Sequence, residues 1–206
     1  MCKTANEIVA NTSKGIEPAV LAGIKVNNAV RRRPTGFAPL SEIVDAAEAI
    51  SGYTICTNYV SFAKEFGKDV FGLNVSAASL IKESKMILLV NTDNASAIQQ
   101  RFATVHEIGH LLVRIPNYEY FSGPNTLTLS TGVCSDVTSS LFERRTVDNF
   151  VRSEYLCNIF AVLVLLPLPS LSIQELVTYG AEHFAKQYGV DVTCIYSKLV
   201  LRDILD

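Results

Sequence analysis

Apolar residues at Phe102, Val105, Ile108, Leu111 and Leu112 recur at helical spacing, which predicts an amphipathic helix with one buried stripe, beginning near Ala95. A second helical run spans 152–161 and continues through Val162, Leu163, Val164, Leu165 and Leu166 to Pro167. Its unbroken apolar part, 159–166, is far short of the ~20 residues a membrane span needs and reads as a core helix. Upstream, residues 40–51 predict an amphipathic helix with Ser41 as N-cap and Gly52 as its stop. Residues 53–57 predict a short strand rich in β-formers, and 70–75 and 86–91 two more. The polar stretch 76–84 between those two makes antiparallel pairing natural. Residues 91–94 form a turn group, while 62–66 have no clear periodicity.

The remaining segments are less patterned. Residues 1–37 form a helical lead-in, with Ile8, Val9, Val20, Leu21, Ile24 and Val26 interrupted by Gly15, Pro18 and Gly23. Residues 38–206 hold the main domain. Between 117 and 149 the chain turns polar, and a connection that long reads either as a partly ordered loop or lid by a cleft, or as an inert insertion. Residues 170–206 contain helical runs at 173–179, 181–190 and 192–201, a helix, glycine turn and helix similar to a helix-turn-helix. Lys186, Lys198 and Arg202 are offset there by Glu182, Asp191, Asp203 and Asp206, so no basic face for nucleic acid emerges. The fold class expected is α+β: a small antiparallel-containing sheet packed on the two long helices, with a C-terminal helical element.

Composition narrows the setting. A chain of 206 residues with 49% hydrophobic content can bury a sizeable core as one domain, with or without a small appendage. A net charge of −2 makes no electrostatic case for nucleic acid or an anionic membrane. The one basic cluster, Arg31-Arg32-Arg33, precedes Pro34-Thr35-Gly36 and reads as a solvated turn. Cys2, Cys56, Cys134, Cys157 and Cys194 are scattered, odd in number and free of any C-x-x-C pair, which suits reduced thiols in a cytoplasm. The first residues lack the basic-then-apolar layout of a signal peptide.

The chemistry lies in His106-Glu107-Ile108-Gly109-His110, inside the first helical run. Four residues return a helix to nearly the same face, so His106 and His110 can offer two imidazoles to one metal ion. Glu107 lies beside them, placed to polarise a bound water without occupying a coordination position. Such a site lacks only a third ligand. Glu154, at the polar start of the second helical run, is the best-placed candidate. Cys157 and Asn158 follow three and four positions later on the same face. Asn158 can hydrogen-bond a ligand from outside, and Cys157 reads as a ligand or, better, as a small core residue.

These motifs resemble the ImmA/IrrE-type metallo-endopeptidases. The family pattern is a strand ending in V-N, then R-F-T-x-A-H-E-x-G-H, then E-x-x-A-N-x-F-A-x-x-L-L-x-P. This chain has Val90-Asn91, then Arg101-Phe102-Ala103-Thr104-Val105-His106-Glu107-Ile108-Gly109-His110. Later it has Glu154-Tyr155-Leu156-Cys157-Asn158-Ile159-Phe160-Ala161, closing with Leu165-Leu166-Pro167. It departs in Ala103, in Cys157 and in a longer connection between the helices. The resemblance covers about residues 38–206 and implies a compact zincin-like domain. It implies that His106, His110 and Glu154 hold Zn2+ and that Glu107 is the general base. It also implies a protein substrate such as a transcriptional repressor or an antitoxin-like regulator. A metal-containing interaction domain with little proteolysis is the competing expectation. Tyr155, His183 and the tyrosines of 118–120 are the candidate oxyanion donors. If the 86–91 strand lies at a sheet edge, an extended peptide can pair with it and lay its scissile bond over the metal.

Overall fold

The computed structural model describes residues 15–33, 35–66, 75–93, 95–113, 126–130, 149–166 and 172–205, with the backbone alone at 126–130, 149–153 and 203–205. The architecture is mixed α+β, with eight helices among the described residues and one mixed sheet. Helices α1 (Glu17–Ala29) and α2 (Leu40–Ser51) precede strand β1 (Thr54–Val60) and the short helix α3 (Phe62–Phe66). A hairpin of β2 (Ala77–Lys82) and β3 (Lys85–Asn91) leads into α4 (Ala97–Leu112), which carries both histidines. Strand β4 (Thr126–Ser130) is followed by α5 (Asn149–Leu165), then α6 (Ile173–Tyr179), α7 (Ala181–Tyr188) and α8 (Val192–Leu205). No described helix is long and apolar enough to cross a membrane.

The sheet order is β1-β3-β2-β4, with β1 parallel to β3 and the other two pairs antiparallel. Of the strand expected at 70–75 only Val75 is described, but the connection expected at 76–84 is itself largely a strand. Residues 70–74 lie outside the described ones, and the strand that pairs with β3 is Ala77–Lys82, inside the stretch read as a polar connection. Ala-Ala-Ser has weak β-propensity, yet Ala77, Ala78, Ser79 and Ile81 are all buried, so packing overrides propensity here. The β2–β3 pairing is antiparallel, closed by Glu83-Ser84 with Glu83 in the left-handed region at φ 54°. The 86–91 strand is not an edge: β1 and β2 occupy both its sides, so it cannot take a peptide. The outer positions belong to β1 and β4. Strand β4 comes from the 117–149 connection, whose remaining lid-or-insertion residues lie outside the described ones up to Asp148.

Two helix starts differ from expectation. Pro39, extended at φ −56° and ψ 144°, occupies the N-cap of α2, and Ser41 lies within the helix. A proline just before a helix supplies a fixed φ and has no N–H to satisfy. Gly52 closes α2 in the left-handed region at φ 74°, as expected. For α4 the N-cap is Ser96, whose hydroxyl accepts from Gln99 N while the Gln99 side chain accepts from Ser96 N, a reciprocal capping box.

The interior is organised on α5. Every residue from Leu156 to Leu166 is buried, as the core-helix reading requires. Helix α4 is also buried all round from Phe102 to His110, more than its single apolar stripe indicates. Helices α1, α4 and α8 pack against α5, so the lead-in helix shares the core. Asn27 Nδ2 donates to Leu163 O at 2.9 Å, and Arg32 Nη2 donates to Val164 O at 2.6 Å, satisfying carbonyls of the last turn of α5. The solvated-turn reading therefore fails for Arg32: unpaired C-terminal carbonyls attract a cation inward. Arg31 and Arg33 remain exposed.

Candidate metal centre

Helix α4 follows directly from β3, and Asn91 fixes that junction. Its Nδ2 donates to Val75 O at 2.8 Å and its Oδ1 accepts from Asp93 N at 2.9 Å. Gln100 Nε2 donates to Asn91 O and Ala95 O, both at 3.1 Å, binding the first turn of the helix to the strand end. Two to three turns further along come His106, Glu107 and His110, with the two imidazoles 5.0 Å apart between centroids. The ligand atoms of these three buried residues lie within 4.8 Å of one another, so the group could hold a metal ion.

Helix α5 brings Glu154 to the same point. Its Oε2 lies 3.1 Å from His106 Nε2 and its Oε1 3.2 Å from His110 Nε2. Ligands about 2.0–2.1 Å from a tetrahedral ion are ~3.4 Å apart, so these separations suit donors converging on one cation. The far nitrogens of both rings also meet α5. His106 Nδ1–H donates to Asn158 Oδ1 at 2.7 Å, and His110 Nδ1 lies 3.4 Å from Cys157 Sγ. With the proton on Nδ1, each Nε2 could offer its lone pair to an ion held together with Glu154. Cys157 stands on the Nδ1 side of its ring, so it supports the imidazole. Burial first, then the charges of Glu154 and Glu107, push its thiol well above the usual range and keep it neutral.

Two carboxylates thus flank the histidines, and their surroundings separate them. Ser79 Oγ, on β2, donates to Glu107 Oε2 at 2.5 Å, in a fully buried contact. Glu154 has both oxygens facing imidazole nitrogens and a side chain 23% exposed. The compact His106-Glu107-His110 grouping makes Glu107 look like the third ligand, but the oxygen geometry favours Glu154 for that position. Ser79 is not legible in the sequence because the stretch that carries it reads as a polar connection. Its signal is a hydroxyl on the same strand face as Ala77 and Ile81. His183 is exposed and stacks on Tyr179 at 5.3 Å, on α7. Tyr155 is partly buried, and residues 118–120 lie outside the described ones.

The site depends on how closely α4 and α5 approach. A Cβ on Gly109 would lie 3.1 Å from Cys157 Cβ, 3.2 Å from Cys157 Cα and 3.1 Å from Phe160 Cδ1. Alanine gains about 1 kcal/mol of helix propensity there, while overpacking a fixed backbone costs about 1–3 kcal/mol. Gly109→Ala is therefore expected to lower the unfolding midpoint and weaken metal binding, as thermal scans and metal titration can check. Unchanged values in both would contradict the close approach.

The electrostatics couple the site to protons. Burial alone would lower the His106 pKa, but its hydrogen bonds to Glu154 and Asn158 and the charges of Glu154 and Glu107 raise it above 6.5. Burial alone would raise Glu154, yet hydrogen bonds and charge from His106 and His110 hold it at about 2. In the metal-free protein, the stabilisation from protonated His106 is complete below pH 6.5 and lost as pH rises through its raised value. A metal must displace that proton. Divalent-metal affinity is therefore expected to keep climbing above pH 6.5, measurable by chelator competition across pH. A plateau already reached at 6.5 would contradict this.

The sequence matches no family model, and comparison with curated proteins finds no relative.

Proposed function

We propose that this protein is a zinc-dependent endopeptidase of ImmA/IrrE type, with His106, His110 and Glu154 as metal ligands and Glu107 as general base. The observation that carries the reading is the convergence of both Glu154 oxygens on the two Nε2 atoms, at 3.1 and 3.2 Å. Two imidazoles and a carboxylate form a zinc ligand set with one position left for water or substrate. Zinc there would acidify water and polarise a peptide carbonyl.

The chain's own residues divide the remaining work. Glu107 takes a proton from the attacking water and returns it to the leaving nitrogen. Ser79 fixes the Glu107 carboxylate by hydrogen-bonding Oε2, which aims the other oxygen. Asn158 and Cys157 hold the imidazole planes from behind. The partial exposure of Glu154 marks the side open to substrate. Strand β4, outermost of the described strands and in contact with α4, would offer an extended peptide a backbone edge beside the site. The natural substrate in this reading is a protein partner such as a repressor or an antitoxin-like regulator.

Chelation tests the proposal. Removing metal is expected to abolish cleavage of a protein substrate, and stoichiometric zinc to restore it. Cleavage that survives thorough chelation would overturn the reading. One observation favours a metal-containing interaction domain instead: Glu107 is 0% exposed and the histidines 2–3%, a degree of enclosure that suits a structural ion. In that case zinc binds without any turnover.

A further inference from the structure

Strand β1 forms one end of the described sheet, at the opposite side from β4. Thr54 N donates to Ser84 O and Val60 O accepts from Thr92 N, both at 2.9 Å, so the even-numbered residues of β1 face β3. The backbone N–H and C=O groups of Ile55, Thr57 and Tyr59 therefore point away from the sheet. Glu48, near the end of α2, closes the first of these donors: its Oε1 accepts from Ile55 N at 2.6 Å. Among the described residues no group bonds the outward N–H of Thr57 or Tyr59.

This edge lacks the usual guards. An open edge strand is ordinarily blunted by charge, proline or a bulge. Residues 54–60, Thr-Ile-Cys-Thr-Asn-Tyr-Val, hold no charge and no proline, and they pair with β3 residue for residue. Ile55 is buried, Cys56 and Asn58 are exposed on the other face, and Tyr59 is 56% exposed. Ile55 has lost its donor to Glu48, but Thr57 and Tyr59 each keep a donor and an acceptor, disposed evenly about Asn58. Such a set is complementary to itself across a two-fold axis. Neutral side chains can also meet their own copies without repulsion, whereas they give a charged peptide nothing to recognise.

We propose that the β1 edge joins two copies of this chain, antiparallel about a two-fold axis at Asn58, into one continuous sheet. In that register Thr57 of one copy and Tyr59 of the other exchange both backbone hydrogen bonds, and the N–H held by Glu48 is not needed. Asn58 lies opposite its own copy in a close, non-hydrogen-bonded pair, with Cα atoms about 4.5 Å apart. Tyr59 crosses to Thr57 of the second copy, setting an aromatic against a β-branched side chain. The pairing uses the end of the sheet away from β4 and leaves that strand uncovered in both copies. Association of this kind does not depend on what the metal centre does.

Sedimentation velocity of the full chain across concentration tests this. A short edge makes a small interface, so a dissociation constant on the order of 10 µM is expected, with monomer at about 1 µM and mostly dimer at about 100 µM. Asn58 is exposed in the single chain, so Asn58→Asp should keep the circular dichroism spectrum. Two carboxylates facing across the axis should weaken the dimer about tenfold. Asn58→Cys provides a second reading: oxidation is expected to link the copies through position 58, because the Cα separation lies within the range that a disulfide spans. The native Cys56 faces Val60 of the second copy and should stay unlinked. Monomer throughout at about 100 µM, or a dimer that Asn58→Asp leaves unweakened, would overturn the proposal. A bridge mapped by mass spectrometry between positions 56 and 58 would overturn the register.

Discussion

Replacing Glu107 with Gln is expected to reduce peptide hydrolysis by about a hundred- to ten-thousand-fold while leaving zinc content and fold unchanged. The substitution keeps size and shape, and a glutamine oxygen can still accept the hydrogen bond from Ser79 Oγ that anchors this side chain. What disappears is the proton acceptor. Measuring kcat beside metal content and circular dichroism separates three outcomes. Loss of turnover with metal retained supports Glu107 as base. Retained partner binding with no turnover in either protein supports the interaction-domain reading. Loss of metal together with activity would mean that Glu107 is itself a ligand, as the tight His106-Glu107-His110 grouping allows.

The parts of this site that could be read ahead of the structure are those governed by helix periodicity. A four-residue return places His106 and His110 together, and the same rule puts Glu154, Cys157 and Asn158 on one face of α5. Contacts within α4 or α5 were therefore accessible, and even the pairing of Asn158 with His106 follows once the helices are known to face each other. Contacts with the sheet were not. Strand β2 begins with Ala-Ala-Ser, residues whose local preference opposes a strand and whose burial decides the matter, so Ser79 stayed hidden. Sheet order is also a property of the whole chain: β3 became central only because β1 crosses to its far side and β4 arrives from a distant connection. Arg32 escaped for a related reason. Basic residues are nearly always exposed, and neither neighbouring residue in sequence signals the C-terminal pole of α5 that Arg32 meets.

Replacing Glu154 with Gln is expected to weaken zinc binding at least about 100-fold, above the roughly 10- to 100-fold that loss of an outer partner costs. Asn158→Ala, which removes only the acceptor behind His106, sets the scale for that smaller effect. The two positions lie four residues apart on one buried helix, so any general loosening of α5 would affect both variants alike. A ligand role predicts separation between them, because glutamine retains the shape of Glu154 and loses the charge that draws a cation. The same charge is what His106 and His110 hold at a pKa of about 2, a coupling that no surface carboxylate would show. Equal metal affinities for Glu154→Gln and Asn158→Ala would place Glu154 outside the coordination sphere, leaving Glu107 as the third ligand among the described residues. A larger deficit in Glu154→Gln, combined with metal retention in Glu107→Gln, is the one pattern in which ligand and base are distinct carboxylates on distinct helices.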